Sequence, residues 1–201
     1  MKSYLSAALV LGLGLSGGSA FAQTAAPPMR LRGTIEAFTG NDLKMKTRNG
    51  QDVTVTLTNS TTIAGVFKAN LADIKPGSFI GSAAAPQPDG TLKALEVTVF
   101  PPGMHGGEGS YAWDLTPTST MTNGTVGNLV ISKGRTMTVT YPNGEKKLFV
   151  PTDVPIVSFE PADKSKLVPG AHVIVTATKA ADGTLTPVRV QVGENGTIPP
   201  S

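Results

Sequence analysis

The sequence predicts an all-β protein of two small five-stranded barrels in tandem, each with one short helical turn. Three observations carry this: apolar and polar residues alternate with a period of two, Gly-containing turns punctuate the alternation, and the whole pattern occurs twice. The segment Leu31 to Phe100 returns as Asn123 to Gly193. Gly33-Thr34-Ile35 corresponds to Gly124-Thr125-Val126, Asn49-Gly50 to Asn143-Gly144, Pro76-Gly77 to Pro169-Gly170, and Asp89-Gly90-Thr91-Leu92 to Asp182-Gly183-Thr184-Leu185.

Each element follows in order. In the first copy Leu43, Met45 and Thr47 alternate with Lys44 and Lys46, and beyond Asn49-Gly50 Val53, Val55 and Leu57 alternate with Thr54 and Thr56. That pattern around Asn-Gly is a β-hairpin signal. In the second copy Met137, Val139 and Tyr141 lead through Asn143-Gly144 to Leu148 and Val150. Between the third and fourth strands, Ala69 to Lys75 and Ala162 to Val168 each read as one helical turn stopped by Pro-Gly. Asp89-Gly90 and Asp182-Gly183 mark a later hairpin with exits at Leu92 to Val99 and Leu185 to Val192. Five short strands with a helical turn before the fourth are the elements of a small OB-like barrel. Copies of this size bury little core alone, so the two are expected to pack on each other. Gly77 and Gly170 follow proline at the entry to the fourth strand, where a positive φ or a close backbone approach would demand glycine.

The remaining segments complete the organisation. Residues 1–22 carry Lys2, an apolar run from Leu5 to Leu15 and small residues ending Ala20-Phe21-Ala22, the pattern of a cleaved signal peptide. Residues 23–30 form a flexible N-terminal segment, 31–100 the first barrel, 101–122 a Gly/Pro-rich connector, 123–193 the second barrel and 194–201 a tail. Beyond the leader no apolar stretch is long enough to span a bilayer as a helix, so no stable membrane insertion is expected.

Composition excludes several chemistries. Of 201 residues none is Cys and two are His, 105 and 172, so disulfides, thiolate metal sites and a cysteine nucleophile are ruled out. Losing Lys2 with the leader takes the formal charge from +3 to +2, and the longest basic run is Lys146-Lys147. That is no nucleic-acid footprint. No G-x-S-x-G, Walker or H-E-x-x-H pattern occurs, and Asp42, Asp52, Asp73, Asp89, Asp163 and Asp182 fall where carboxylates usually hydrogen-bond backbone. No catalytic residue and no cofactor is expected.

Candidate binding residues cluster in the connector. Met104, His105 and Glu108 combine a thioether, an imidazole and a carboxylate, a set suited to a soft metal ion, though four nearby glycines offer little rigidity. Tyr111 and Trp113 either dock the connector across the barrels or present a stacking surface to a ligand. Asp114 is placed to cap a following turn. His172 stands where the first copy has Phe79, which makes it a packing or half-exposed position.

The signal peptide, duplicated G-T-I/V starts, I/L-x-P-G before the fourth strand, D-G-T-L hairpins and Gly107-Glu108-Gly109 ahead of Trp113-Asp114 resemble exported bacterial proteins built from an uncharacterised OB-like barrel domain of unknown function. Relatives of that group often carry the label of a metal ABC transporter permease, which a chain without spans does not fit. The expected function is that of a non-catalytic periplasmic protein binding an envelope protein or peptide and no nucleic acid. A periplasmic metal-handling accessory protein and a hydrolase with an unrecognised carboxylate site are the alternatives.

Overall fold

The computed structural model describes residues 28–130, 135–180 and 182–200. The proposed leader at 1–22 lies outside the described residues. The described residues are nearly all β, and the fourteen strands among them form one continuous hydrogen-bonded sheet. The first copy supplies β1 (Met29–Thr39), β2 (Asp42–Thr47), β3 (Asp52–Thr56), β4 (Thr62–Lys68), β5 (Phe79–Pro86), β6 (Leu92–Ala94) and β7 (Val97–Val99). The connector supplies β8 (Gly109–Ala112). The second copy supplies β9 (Thr120–Val130), β10 (Thr136–Tyr141), β11 (Gly144–Phe149), β12 (Ile156–Pro161), β13 (His172–Lys179) and β14 (Leu185–Gly193). Single 3-10 turns stand at Leu71–Asp73 and Lys164–Lys166, inside the two segments where a helical turn is expected.

The expected barrels at 31–100 and 123–193 are corrected by the strand pairing, because each unit mixes the copies. A closed five-stranded barrel runs β5–β6–β11–β10–β9 and back to β5, joining the end of the first copy to the start of the second. An open unit runs β3–β2–β1–β13–β14, joining the start of the first copy to the end of the second. In it β14 passes beside β3 without a ladder among the described residues. The cores divide the same way. Ile80, Leu92 and Val97 pack with Val126, Met137, Val139 and Leu148. Ile35, Leu43, Met45 and Val55 pack with Val173, Val175, Val190 and Val192.

The cause of the exchange lies in β4 and β12, two strands that the alternation had not disclosed. Thr62-Ile63-Ala64-Gly65-Val66-Phe67-Lys68 contains no turn signal, so the chain stays extended for seven residues, roughly 23 Å at about 3.3 Å each, and delivers β5 to the other unit. β12 carries the chain back. The two crossing strands pair antiparallel, from Val157 opposite Lys68 to Pro161 opposite Ala64, and bury Ala64, Val66, Val157 and Phe159 between the units.

Equivalent backbone bonds lock both crossings. Gly77 N–H donates to Val126 O and Gly170 N–H to Ile35 O, both at 2.8 Å, and each bond links one copy to the other. These glycines hold φ of +90° and +85°, so of the two reasons for glycine there it is the left-handed backbone and not a close approach that applies. The expected single exit strand at Leu92 to Val99 is broken into β6 and β7, because the amides of Leu95 and Glu96 both reach Ala83 O and bulge the strand there. The connector also differs from a strand-free loop: β8 pairs with β9, which begins at Thr120, three residues before the expected start of the second copy.

Candidate functional site

The connector is gripped at the same rung of both copies. In the second copy that rung holds Asn123, buried, whose Nδ2 donates to Gly107 O and to the Tyr111 hydroxyl, both at 2.9 Å. In the first copy the rung holds Arg32, whose guanidinium takes Asp114 with two bonds of 2.9 and 3.3 Å. Asp114 therefore pairs with Arg32 and, at 3.7 Å, Arg30, in place of the turn-capping role expected for it. Bidentate pairing fixes geometry better than a point contact does.

Trp113 completes the clasp. The Arg30 guanidinium lies over its ring at 3.8 Å from the centroid, and Tyr111 meets it edge-on at 6.1 Å. Trp113 is half-buried while Tyr111 stays 41% exposed. Burial raises the Tyr111 phenol above its ordinary pKa and outweighs the Arg30 charge and the Asn123 hydrogen bond, which both lower it. The phenol is neutral at pH 7. Burial likewise pushes Asp114 upward, but the hydrogen bond and charge of Arg32 together with the charge of Arg30 hold it below the usual carboxylate range.

Of the suggested metal set, the structure brings together His105 and Glu108, with Nδ1 and Oε1 at 3.3 Å. Met104, His105 and Glu108 are all exposed, and among the described residues no group of three His, Cys, Asp or Glu converges. The His105 ring stacks on Phe79 at 4.4 Å, and Phe79 meets Phe100 edge-on at 5.0 Å. A cavity of about 450 Å³ opens beside these rings, lined also by Asp73, Pro101 and Pro102.

His172 is half-buried, with Nδ1 3.3 Å from Thr34 Oγ1. It borders a cavity of about 410 Å³ shared with Lys46 and Arg48, a grouping that sequence reasoning missed. Two further openings, of about 400 and 420 Å³, lie at Asn70 with Ile156 and at Asp89 with Lys147. Each of the four cavities is lined by at most one carboxylate. Among the described residues no helix is long and apolar enough to cross a membrane.

No curated protein and no solved structure matches the chain. A family profile described as a domain of unknown function (DUF5666) matches residues 32–98. Over those residues the chain is similar to an uncharacterised domain family, and the matched segment gives β1–β3 to the open unit and β5 and β6 to the closed barrel, with β7 pairing between β5 and the crossing strand β12.

Proposed function

We propose that the protein is a non-catalytic, exported binding protein of the bacterial envelope, built on OB-like units, which engages an extended protein or peptide segment on its connector face. The observation that carries this reading is the clasp of Tyr111, Trp113, Arg30 and Arg32, held by Asp114 and Asn123. Tyr, Trp and Arg are the residue types that dominate binding energy at protein interfaces, and anchors fixed before binding lose little entropy on complex formation. β8, which carries Tyr111, stands at one end of the sheet order, and among the described residues no strand pairs with its outer edge, which suits it to an added strand. The leader pattern at 1–22 supports export.

Mild crosslinking of the tagged protein in the periplasm, followed by identification of what is recovered, tests the reading. Tyr111→Ala should lower recovery of the principal partner at least tenfold while Tyr111→Phe retains it, with both variants folded. Equal recovery by Tyr111→Ala would remove the connector face from the binding surface.

A further inference from the structure

The two copies act as controls for each other at one ladder rung. In the open unit Thr34 faces Lys46 across β1–β2 and His172 across β1–β13. In the closed barrel the equivalent Thr125 faces Thr140 across β9–β10 and Phe79 across β5–β9. The register is the same, so building the unit requires neither a lysine nor a histidine there. Arg48 likewise corresponds to Pro142. The cationic and imidazole groups are confined to one copy, and they line one cavity of about 410 Å³ with Ile198 and Pro199 as its apolar wall. At the closed-barrel rung His105 lies on Phe79 instead.

The charges in this cavity are unevenly committed. Lys46 is shared by Glu36, at 3.4 Å, and Asp52. Arg48 is exposed and makes no ion pair among the described residues. No carboxylate lines the cavity, and its donors come from three adjacent strands or their ends: the Thr34 hydroxyl, the Lys46 ammonium and Arg48 guanidinium, and the His172 ring. An Arg fork takes two oxygens of one oxyanion, which leaves any further oxygen to the hydroxyl or the ammonium. A carboxylate has only two oxygens to offer such a set, whereas a phosphate group has three or four.

We propose that the cavity bounded by Thr34, Lys46, Arg48 and His172 is a binding site for a phosphate group, carried by a free phosphate compound or by a lipid headgroup. The site shares no side chain with the connector clasp, although the Arg48 amide donates to the carbonyl of Arg32. Ile198 and Pro199 would lie against the carbon skeleton that carries the phosphate.

The two histidines give the test its internal control. Inorganic phosphate and glycerol 3-phosphate are titrated into the purified protein at constant pH and ionic strength, with the imidazole resonances followed by NMR. The His172 signals should shift and saturate, with half-saturation at or below about 10 mM, while those of His105 stay in place. Arg48→Gln should weaken this binding at least tenfold without changing the melting temperature. Vesicles of phosphatidylcholine with and without phosphatidylglycerol separate the sources: co-sedimentation that needs the anionic lipid and is lost in Arg48→Gln assigns a headgroup, and binding of the soluble phosphates alone assigns a free ligand. Absence of any saturable His172 shift and of vesicle binding overturns the proposal. So does an identical response to acetate, or binding that Arg48→Gln leaves unchanged.

Discussion

The two copies share a frame and differ at its rims. Both place a glycine in the first strand against a carbonyl of the second, both turn into the strand after the 3-10 turn through a left-handed glycine, and both send a crossing strand between the units. They differ in closure and in covering. β14 runs unbroken for nine residues and leaves its unit open, whereas its counterpart is split into β6 and β7, and β6 closes the barrel by pairing parallel with β11. The closed barrel has His105 of the connector on Phe79, and the open unit leaves His172, Lys46 and Arg48 around a cavity. Positions that determine backbone geometry have stayed alike, and positions that face solvent at the rim have diverged into different chemistry.

The comparison is broken most forcefully at the shared glycines. A Cβ on Gly33 would press on the Lys46 carbonyl, and one on Gly124 on the Thr140 carbonyl, and backbone cannot yield as a side-chain end can. Gly33→Val and Gly124→Val should each cost about 3 kcal/mol or more in denaturant unfolding, the upper end of overpacking effects. At Gly77 and Gly170 no atom lies within 4 Å of the added Cβ, so only the positive φ resists. Valine there should cost about 1 to 3 kcal/mol. A pair whose two members respond differently would show that the copies are not equivalent at that position.

A smaller effect is expected at the clasp, which has no counterpart in the other copy's tail. Trp113 is half-buried and stacked under Arg30, so Trp113→Ala should lower stability by about 1 to 2 kcal/mol, less than a core aromatic would, from lost area and the cation–π contact. Thermal unfolding of the variant checks this. Smallest is the acid response of Asp114. Its folded-state pKa is depressed, so the stabilisation is fully present above the unfolded-state value, near 3.8, and is lost as pH falls through the lower folded value. Asp114→Asn should therefore destabilise at pH 7 by no more than about 1 kcal/mol, the range for exposed pairs, and should narrow the difference from the parent at pH 3.

Much of the local structure was legible in the residues. The hairpins after Met45 and Val139, the turns in which Asp89 and Asp182 accept the amides of Thr91 and Thr184, and the positive φ at Gly77 and Gly170 all follow from chemistry within a few residues. Which copy's strand fills which unit was not legible. Val175 and Ala83 occupy neighbouring positions of equivalent strands, and either copy's strand presents the same alternation to the opening beside β1, so periodicity describes both arrangements equally. β8 escaped notice because Gly109-Ser110-Tyr111-Ala112 has little strand character by itself and is held in that form by β9. The cavity at His172 escaped because its residues lie on three separate segments that only the exchange brings together.

Strand exchange is the central claim, and the chain's lack of Cys allows a direct test by engineered disulfides. Arg30 and Thr176 lie opposite each other across β1–β13, a spacing that an inter-strand disulfide can span. In contiguous barrels Arg30 would instead oppose Ala83, the first-copy equivalent of Thr176. The measurement is the extent of intrachain disulfide formation in monomeric Arg30→Cys/Thr176→Cys and Arg30→Cys/Ala83→Cys proteins under mild oxidation. Exchange predicts near-complete bridging of the first pair and none of the second, and the reverse result would contradict the architecture described above.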